Sequence, residues 1–374
     1  MSEDKKKYAG QEPVWSTYFH AKGAALGLPV AGNFELTSRC NFNCKMCYVH
    51  SNSAEGELSA EEWIALGKAA ADSGMVFLLI TGGEPLLRPD FKEIYTGLKK
   101  LGLLISINTN GSLIDEEMVE FFKKDPPLRI NISLYGGCNA TYESLCKNAA
   151  FDKVTNAIRA LKEAGIQVKI NSSVTPYNAC DIEEIYRFGE SVQIPVKATT
   201  YMFPPVRVNG CKYGDAPHRF TPEEAAANML KCREQYMTPE QLASFSGADP
   251  MDDELDCTDG QGEHMRCRAG KTAFWITWDG RMLPCGMFPI EGWSVKEKGF
   301  SEAWRTVREY CASLILPARC KSCSLKERCP SCAAACLAES GDTSVLPEYI
   351  CKMTYLLEEM TSKKYKKGDG ENEN

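Results

Sequence analysis

From residue 34 onward the chain alternates short apolar runs with longer amphipathic stretches. Asn33 to Thr37 alternates apolar and polar positions, and Met75-Val76-Phe77-Leu78-Leu79-Ile80 is an unbroken apolar run, so both read as strands. The same pattern predicts strands at 34–37, 75–80, 103–108, 129–133, 166–174 and 194–200. Helices are predicted between them. Ser59-Ala60-Glu61-Glu62 is a capping-box pattern opening one that runs to about Ala71, and 90–100, 115–123, 151–164 and 181–190 follow. Six such βα units predict an α/β fold with a parallel sheet, closed or nearly closed into a partial barrel. Residues 1–33 read as a lead-in, with Trp15, Tyr18 and Phe19 packing a short helix. The Pro-, Gly- and Arg-rich stretch 201–219 reads as a linker or a lid, and Thr221-Pro222-Glu223-Glu224 opens another helix. Residues 246–263 are acidic and Gly-rich, which places a domain junction near 250. Beyond it, Lys271 to Trp278, the turn Asp279-Gly280 and Arg281 to Pro284 read as a hairpin. Residues 361–374 have the composition of a disordered tail.

Composition narrows the functions this frame can carry. The 374 residues are 44% hydrophobic and 25% charged, enough for a real core and for one large and one small domain. The net charge of −7 argues against nucleic acid as the main partner. Met1 to Lys7 has no apolar stretch behind it, and no run of about 18 apolar residues occurs, so no membrane is expected and the expected compartment is the cytoplasm. The 18 cysteines are then expected to bind metal rather than to form disulfides.

Three of those cysteines, Cys40, Cys44 and Cys47, fall in one loop that leaves the first predicted strand. Strand ends are where open α/β sheets and barrels place their chemistry. Soft thiolates at C-x3-C-x2-C spacing select an iron–sulfur cluster or zinc. A cubane takes one cysteine per iron, so three leave one iron for a non-protein ligand. The zinc alternative would recruit a distant residue such as His50. One βα unit later stands Gly82-Gly83-Glu84-Pro85, whose glycines allow close approach to a ligand and whose Glu84 carboxylate is suited to an ammonium group. Asn108, Asn110, Asn131, Ser133, Asn171, Ser172 and Ser173 lie at or near later strand ends, and Asn110-Gly111 also reads as plain turn chemistry. Cys138, Cys146, Cys180, Cys211 and Cys232 show no ligand spacing and are expected to be small buried hydrophobes. His20, His50, His218 and His264 show no partner pattern.

Cys40, Cys44 and Cys47 together with Gly82-Gly83-Glu84-Pro85 resemble the radical S-adenosylmethionine (radical SAM) superfamily. The resemblance implies a six-unit partial TIM-like barrel and a [4Fe–4S] cluster held by Cys40, Cys44 and Cys47. It implies S-adenosylmethionine on the open iron, with Gly82, Gly83, Glu84 and Pro85 at its methionine ammonium and Ser133 near its ribose. Met46 stands where the family often has an aromatic residue, and Tyr135 where it often has Asp; Met46 is suited to cover the adenine.

A second cysteine block spans the C-terminal region on both sides of the hairpin: Cys257, Cys267, Cys285, Cys320, Cys323, Cys329, Cys332, Cys336 and Cys351. Nine cysteines suit two sites, and two zinc knuckles are an alternative. The pattern resembles the SPASM extension of radical SAM enzymes, which implies two auxiliary [4Fe–4S] clusters. Cys320, Cys323, Cys329 and Cys351 would hold one. Cys267 and Cys285 would belong to the other with Cys332 or Cys336, and Cys257 or substrate would complete it. The implied organisation is a lead-in at 1–33, a radical SAM partial barrel at 34–250, a small Cys-rich SPASM domain at 251–360 and a tail at 361–374. The implied activity is hydrogen abstraction by a 5′-deoxyadenosyl radical, most often from a peptide or protein side chain that is crosslinked, made into a thioether or oxidised. A small molecule or cofactor precursor is the second reading, and a non-catalytic iron–sulfur electron carrier the third. Flavodoxin or ferredoxin would be the electron donor. Because few residues precede the first strand, a separate leader-peptide-binding protein is an expected partner.

Overall fold

The computed structural model describes residues 14–49, 54–206, 212–244 and 267–365. Cys211, Cys257, His50, His264, the acidic stretch 246–263 and the last nine residues lie outside the described ones.

The six predicted βα units form. Strands β1 (Ala31–Glu35), β2 (Phe77–Thr81), β3 (Leu104–Thr109), β4 (Arg129–Ser133), β5 (Val168–Ser173) and β6 (Val196–Thr199) pair side by side in chain order, all parallel. Helices Ala60–Asp72, Phe91–Lys100, Glu116–Lys124, Phe151–Glu163 and Ile182–Ser191 make the crossovers. The first is held at its start as its sequence predicts. Ser59 Oγ accepts from Glu62 N at 3.2 Å, and Glu62 Oε2 accepts from Ser59 N at 2.7 Å. Thr221 and Glu224 repeat the device on helix Pro222–Glu234, with Pro222 in its first turn.

The C-terminal hairpin does not stand apart from this sheet. Its first strand, β7 (Ala273–Ile276), pairs parallel to β1, so Phe34 has Ile80 on one side and Ile276 on the other. Strands β8 (Arg281–Leu283) and β9 (Trp293–Ser294) follow antiparallel, which gives nine strands among the described residues, with β6 and β9 at the edges. Trp275 Nε1 donates to the buried Glu35 Oε2 at 2.7 Å across this joint. Phe34 packs on Trp63 with ring centroids 4.9 Å apart, and Phe274 packs on Phe300 at 5.2 Å, so one apolar core runs from barrel helix to C-terminal helix. At the opposite edge, the last helix, Glu348–Tyr365, lies against Pro222–Glu234 and shares a second core through Ile350, Met353, Leu357 and Leu230. Residues 361–365, expected in a tail, belong to that helix. Thr361 is buried, and Glu234 accepts from both Lys364 Nζ and Tyr365 OH.

Two further expectations are corrected. The lead-in helix forms at Val14–Leu26, but Trp15, Tyr18 and Phe19 lie on its outer side. Ser16, His20 and Gly23, at i, i+4 and i+7, face inward because a residue larger than Gly at 23 would meet Val30. Cys138, ahead of helix Asn139–Cys146, and Cys180, in the short 3-10 turn Ala179–Asp181, are exposed rather than buried, whereas Cys146 and Cys232 are buried.

His20 is buried, its Nδ1 2.7 Å from Thr272 Oγ1, and burial with nearby Arg268 lowers its pKa from 6.5 to about 4. The unfolded chain takes up this proton at a higher pH than the native one. Stability is therefore expected to fall as pH drops from 6.5 towards 4. In His20→Asn, denaturation curves across that window are expected to lose this slope; an unchanged slope would rule out His20 as its source.

Candidate active site

The loop Cys40–Cys47 leaves the C-terminal end of β1 and is fixed from three sides. From below, Gly83 N donates to Thr37 O at 2.7 Å and Glu84 N to Arg39 O at 2.8 Å. A Cβ on Gly83 would lie 2.3 Å from Arg39 O, and one on Gly82 would lie 2.7 Å from Thr37 O. Glycine is thus required at both because two backbones cross here. From the end of β3, Asn110 Nδ2 donates to Asn41 Oδ1 at 2.8 Å and points at Cys40 Sγ at 3.9 Å. From the far side, the carbonyls of Leu145 and Cys146 accept from Lys45 N and Asn43 N at 3.0 and 2.9 Å. They end helix Asn139–Cys146, which the hydrophobic pattern did not predict.

Charged groups brace the strand end behind the loop. Arg39 donates through Nε and Nη2 to Glu57, both at 3.0 Å, and Thr37 Oγ1 also donates to Glu57. The buried Arg88 donates to Leu36 O at 2.9 Å, to Leu58 O at 3.0 Å and to Asp90 at 2.6 Å. No local sequence signal marks this set, because its members lie far apart along the chain.

The Glu84 carboxylate, expected to face an ammonium group, is turned inward and fully buried. Oε1 accepts from Leu86 N at 3.1 Å and Thr109 Oγ1 at 2.8 Å, and Oε2 accepts from Asn110 N at 2.7 Å. Burial pushes its carboxyl up to about 7 against these three donors. Pro85 opens the short helix that Glu84 caps. Neither lines the cavity above the loop; Gly82 and Gly83 do. The acid of this turn thus holds it against β3 instead of facing outward.

That cavity, about 620 Å³, is lined by Cys40, Cys44, Met46, Cys47 and Tyr48 on one side. Asn108, Asn110, Asn131, Ser133, Asn171 and Ser173 line its floor. They recur at every second strand position, as one face of a pleated sheet requires, while Ser172 between them is buried in the opposite layer. Tyr135 joins this wall beside the cysteines, with burial raising its pKa. The roof comes from the C-terminal region: Arg328, Cys329, Pro330, Met353 and Leu357.

The chemistry of the three loop thiols fits a cationic centre. Burial pushes Cys40 up to about 12, and Glu84, Cys44 and Cys47 add to the rise. Cys44 is raised first by a hydrogen bond with Cys146, a residue that sequence spacing had set aside, and then by burial. Buried thiols become thiolates when a metal supplies the opposing charge. Among the described residues no three His, Cys, Asp or Glu converge as a single-ion site. A cubane, with one thiolate on each iron, does not need such convergence.

The second block divides in space. Cys332 lies close enough to Cys267 and Cys285 to raise the pKa of both, while its own is raised by Cys336 and Cys329, with burial the larger cause for each. Cys320, Cys323, Cys329 and Cys351 line a separate cavity of about 340 Å³. Of the two cysteines left open by spacing, Cys332 lies near Cys267 and Cys285 on one side and near Cys329 and Cys336 on the other. Cys336 is buried beside Cys320, Cys351 and Cys329. No described helix is long and apolar enough to cross a membrane.

Residues 34–189 match the model of the radical SAM superfamily. An AdoMet-dependent heme synthase of Methanosarcina barkeri is 27% identical over 83% of this chain and 92% of its own. Among solved structures, Streptococcus suis SuiB bound to precursor peptide SuiA is similar over 90% of this chain and 80% of its own, with TM-score 0.63 and 19% identity. A third similar chain is anSMEcpe with bound AdoMet, over 90% of this chain and 98% of its own, with TM-score 0.66 and 17% identity.

Proposed function

We propose that this chain, a radical SAM enzyme, abstracts hydrogen from a substrate seated in the cavity between the Cys40–Cys47 loop and the C-terminal cysteine block. The observation that carries this reading is the single cavity that holds the three loop cysteines, the Gly82-Gly83 turn and Cys329 together. At about 620 Å³ it falls within the ~300–1,000 Å³ of ordinary small-molecule sites. A [4Fe–4S] cluster with one open iron, when bound, supplies the electron that splits S-adenosylmethionine into methionine and a 5′-deoxyadenosyl radical.

The chain's own residues hold and orient. Cys40, Cys44 and Cys47 would ligate three irons. The backbone of Gly82 and Gly83 would receive the methionine ammonium, since the Glu84 carboxylate is engaged elsewhere. Ser133 and its strand-end neighbours would meet the ribose, and Met46 the adenine. Cys320, Cys323, Cys329 and Cys351 would hold one auxiliary cluster, and Cys267, Cys285 and Cys332 the other. Cys329, which lines both this cavity and the smaller one, would hold its auxiliary cluster at the edge of the substrate cavity, where such a group would supply an electron acceptor.

For the substrate, a peptide or protein side chain is the first reading. Its support is the open cavity and a fold shared with a protein that binds a precursor peptide. The second reading is a cofactor precursor, and its support is the heme synthase similar along most of its length. A reduced flavodoxin or ferredoxin is the proposed electron donor.

After anaerobic reconstitution, about twelve irons and as many sulfides per chain are expected, four for each cluster. Dithionite should then drive release of 5′-deoxyadenosine. A value near four irons, or stoichiometric zinc, would remove the auxiliary clusters from this reading. No 5′-deoxyadenosine from iron-loaded protein would remove the radical reaction. Deuterium transfer into 5′-deoxyadenosine from a labelled peptide or a labelled precursor would choose between the substrates.

A further inference from the structure

Beside the large cavity lies a second pocket of about 320 Å³ with a different character. Met46, Met202 and Phe203 line both, so the two adjoin at the cluster loop. The second pocket carries Lys45, Lys147 and His218 on its wall, and no described Asp or Glu lines it. That is a positively charged recess in a chain whose net charge is −7. Arg219 also borders it, but its guanidinium is held by Glu339, with Nη1 and Nη2 at 2.6 and 3.1 Å, and stacks 3.9 Å from the Tyr349 ring. It builds the wall and has little charge to spare.

The lysines are placed differently. Lys45 Nζ stands 3.5 Å from the centre of the Tyr177 ring, a contact that positions an ammonium without neutralising it. The Tyr177 hydroxyl lies 3.0 Å from His218 Nδ1. With Tyr177 donating, the neutral imidazole keeps its proton on Nε2 and is itself a donor. Lys147 follows helix Asn139–Cys146 with φ of 56°, a left-handed position that Gly or Asn usually fills. A helix stop alone does not call for lysine there. Two ammonium groups and a ring N–H around an acid-free recess form a donor set suited to a carboxylate or a phosphate.

We propose that this pocket binds an anionic group, carboxylate or phosphate, on the substrate that reacts in the adjoining cavity. The link to reaction rests on the radical reading above, but affinity of the pocket for an anion does not. The charged group anchors at Lys45 and Lys147, and the reacting carbon extends past Met46 towards the cluster loop.

The test is calorimetric titration of the full-length protein with inorganic phosphate and, separately, with glutarate, at constant ionic strength. Saturable one-to-one binding in about the millimolar range is expected for one of them. K45Q/K147N is expected to weaken it at least tenfold. A control with the same charge change, K68Q/K92Q on exposed helix faces, is expected to leave it within twofold. Tighter phosphate assigns a phosphate-bearing substrate, and tighter glutarate a carboxylate-bearing one. Absence of saturable binding to either probe, or equal weakening in the control, overturns the proposal. If the double variant does not fold, K147N alone is judged on the same comparison, at a threshold of threefold. Release of 5′-deoxyadenosine from S-adenosylmethionine without substrate is measured on the unmodified protein, so failure of the radical reading is seen separately.

Discussion

Replacing Cys40, Cys44 and Cys47 together with alanine is expected to bring reductive cleavage of S-adenosylmethionine below detection. The thiolates are the only covalent hold the chain offers the proposed catalytic cluster, and alanine leaves nothing to ligate iron. The loop itself should persist. Its backbone is tied to Leu145 and Cys146, and Thr37 and Arg39 just before it to Gly83 and Glu84, by hydrogen bonds that no cysteine side chain makes. Folding matters here because barrel and hairpin share the β1–β7 joint and one core, so a collapsed loop would also disturb Cys267 and Cys285. With the loop intact, about eight irons should remain, those of the two proposed auxiliary clusters. The measurements are 5′-deoxyadenosine by chromatography, iron by colorimetry and a thermal melt. Continued 5′-deoxyadenosine production in the triple variant would refute Cys40, Cys44 and Cys47 as the catalytic ligands.

Glu84→Gln is expected to lower stability before it touches S-adenosylmethionine directly. The motif alone suggests the opposite order, with the carboxylate on the methionine ammonium. In the fold both carboxylate oxygens accept from Leu86, Thr109 and Asn110 in a fully buried position. An amide turns one acceptor into a donor, facing either the N–H of Asn110 or the pair Leu86 and Thr109. An unsatisfied buried donor costs about 1–3 kcal/mol. For a chain of this size that lowers the melting temperature by roughly 1–4 °C. Asn110 also reaches Asn41 and Cys40, and Glu84 N holds Arg39 O, so cluster loop and glycine turn loosen together. S-adenosylmethionine affinity should then fall about tenfold, the scale of losing a supporting residue. The melting shift must appear without any ligand. A variant that melts like the parent yet binds S-adenosylmethionine much more weakly would return the carboxylate to the ammonium.

The sequence by itself determined what depends on neighbours along the chain. Apolar runs and capping boxes at Ser59 and Thr221 set the six βα units, because strand and helix periodicity and N-terminal caps are local. Cysteine spacing marked the loop, and paired glycines marked a close approach. Short or uncapped elements were less legible. Helix Asn139–Cys146 escaped because it spans two turns and Cys138 gives it no side-chain cap. Tertiary structure alone decided which way shared features turn. It put the aromatic residues of the lead-in helix outside, since Gly23 permits contact with Val30 on the other face. It brought Cys146 to Cys44, joined β7 to β1 across some 240 residues, and set Cys332 between Cys267 and the knuckle. It turned Glu84 inward, because the glycine turn is pressed against residues 37–39 and its acid is left facing the end of β3. Such partners are chosen by packing between distant segments, and no local pattern of residue types records that choice.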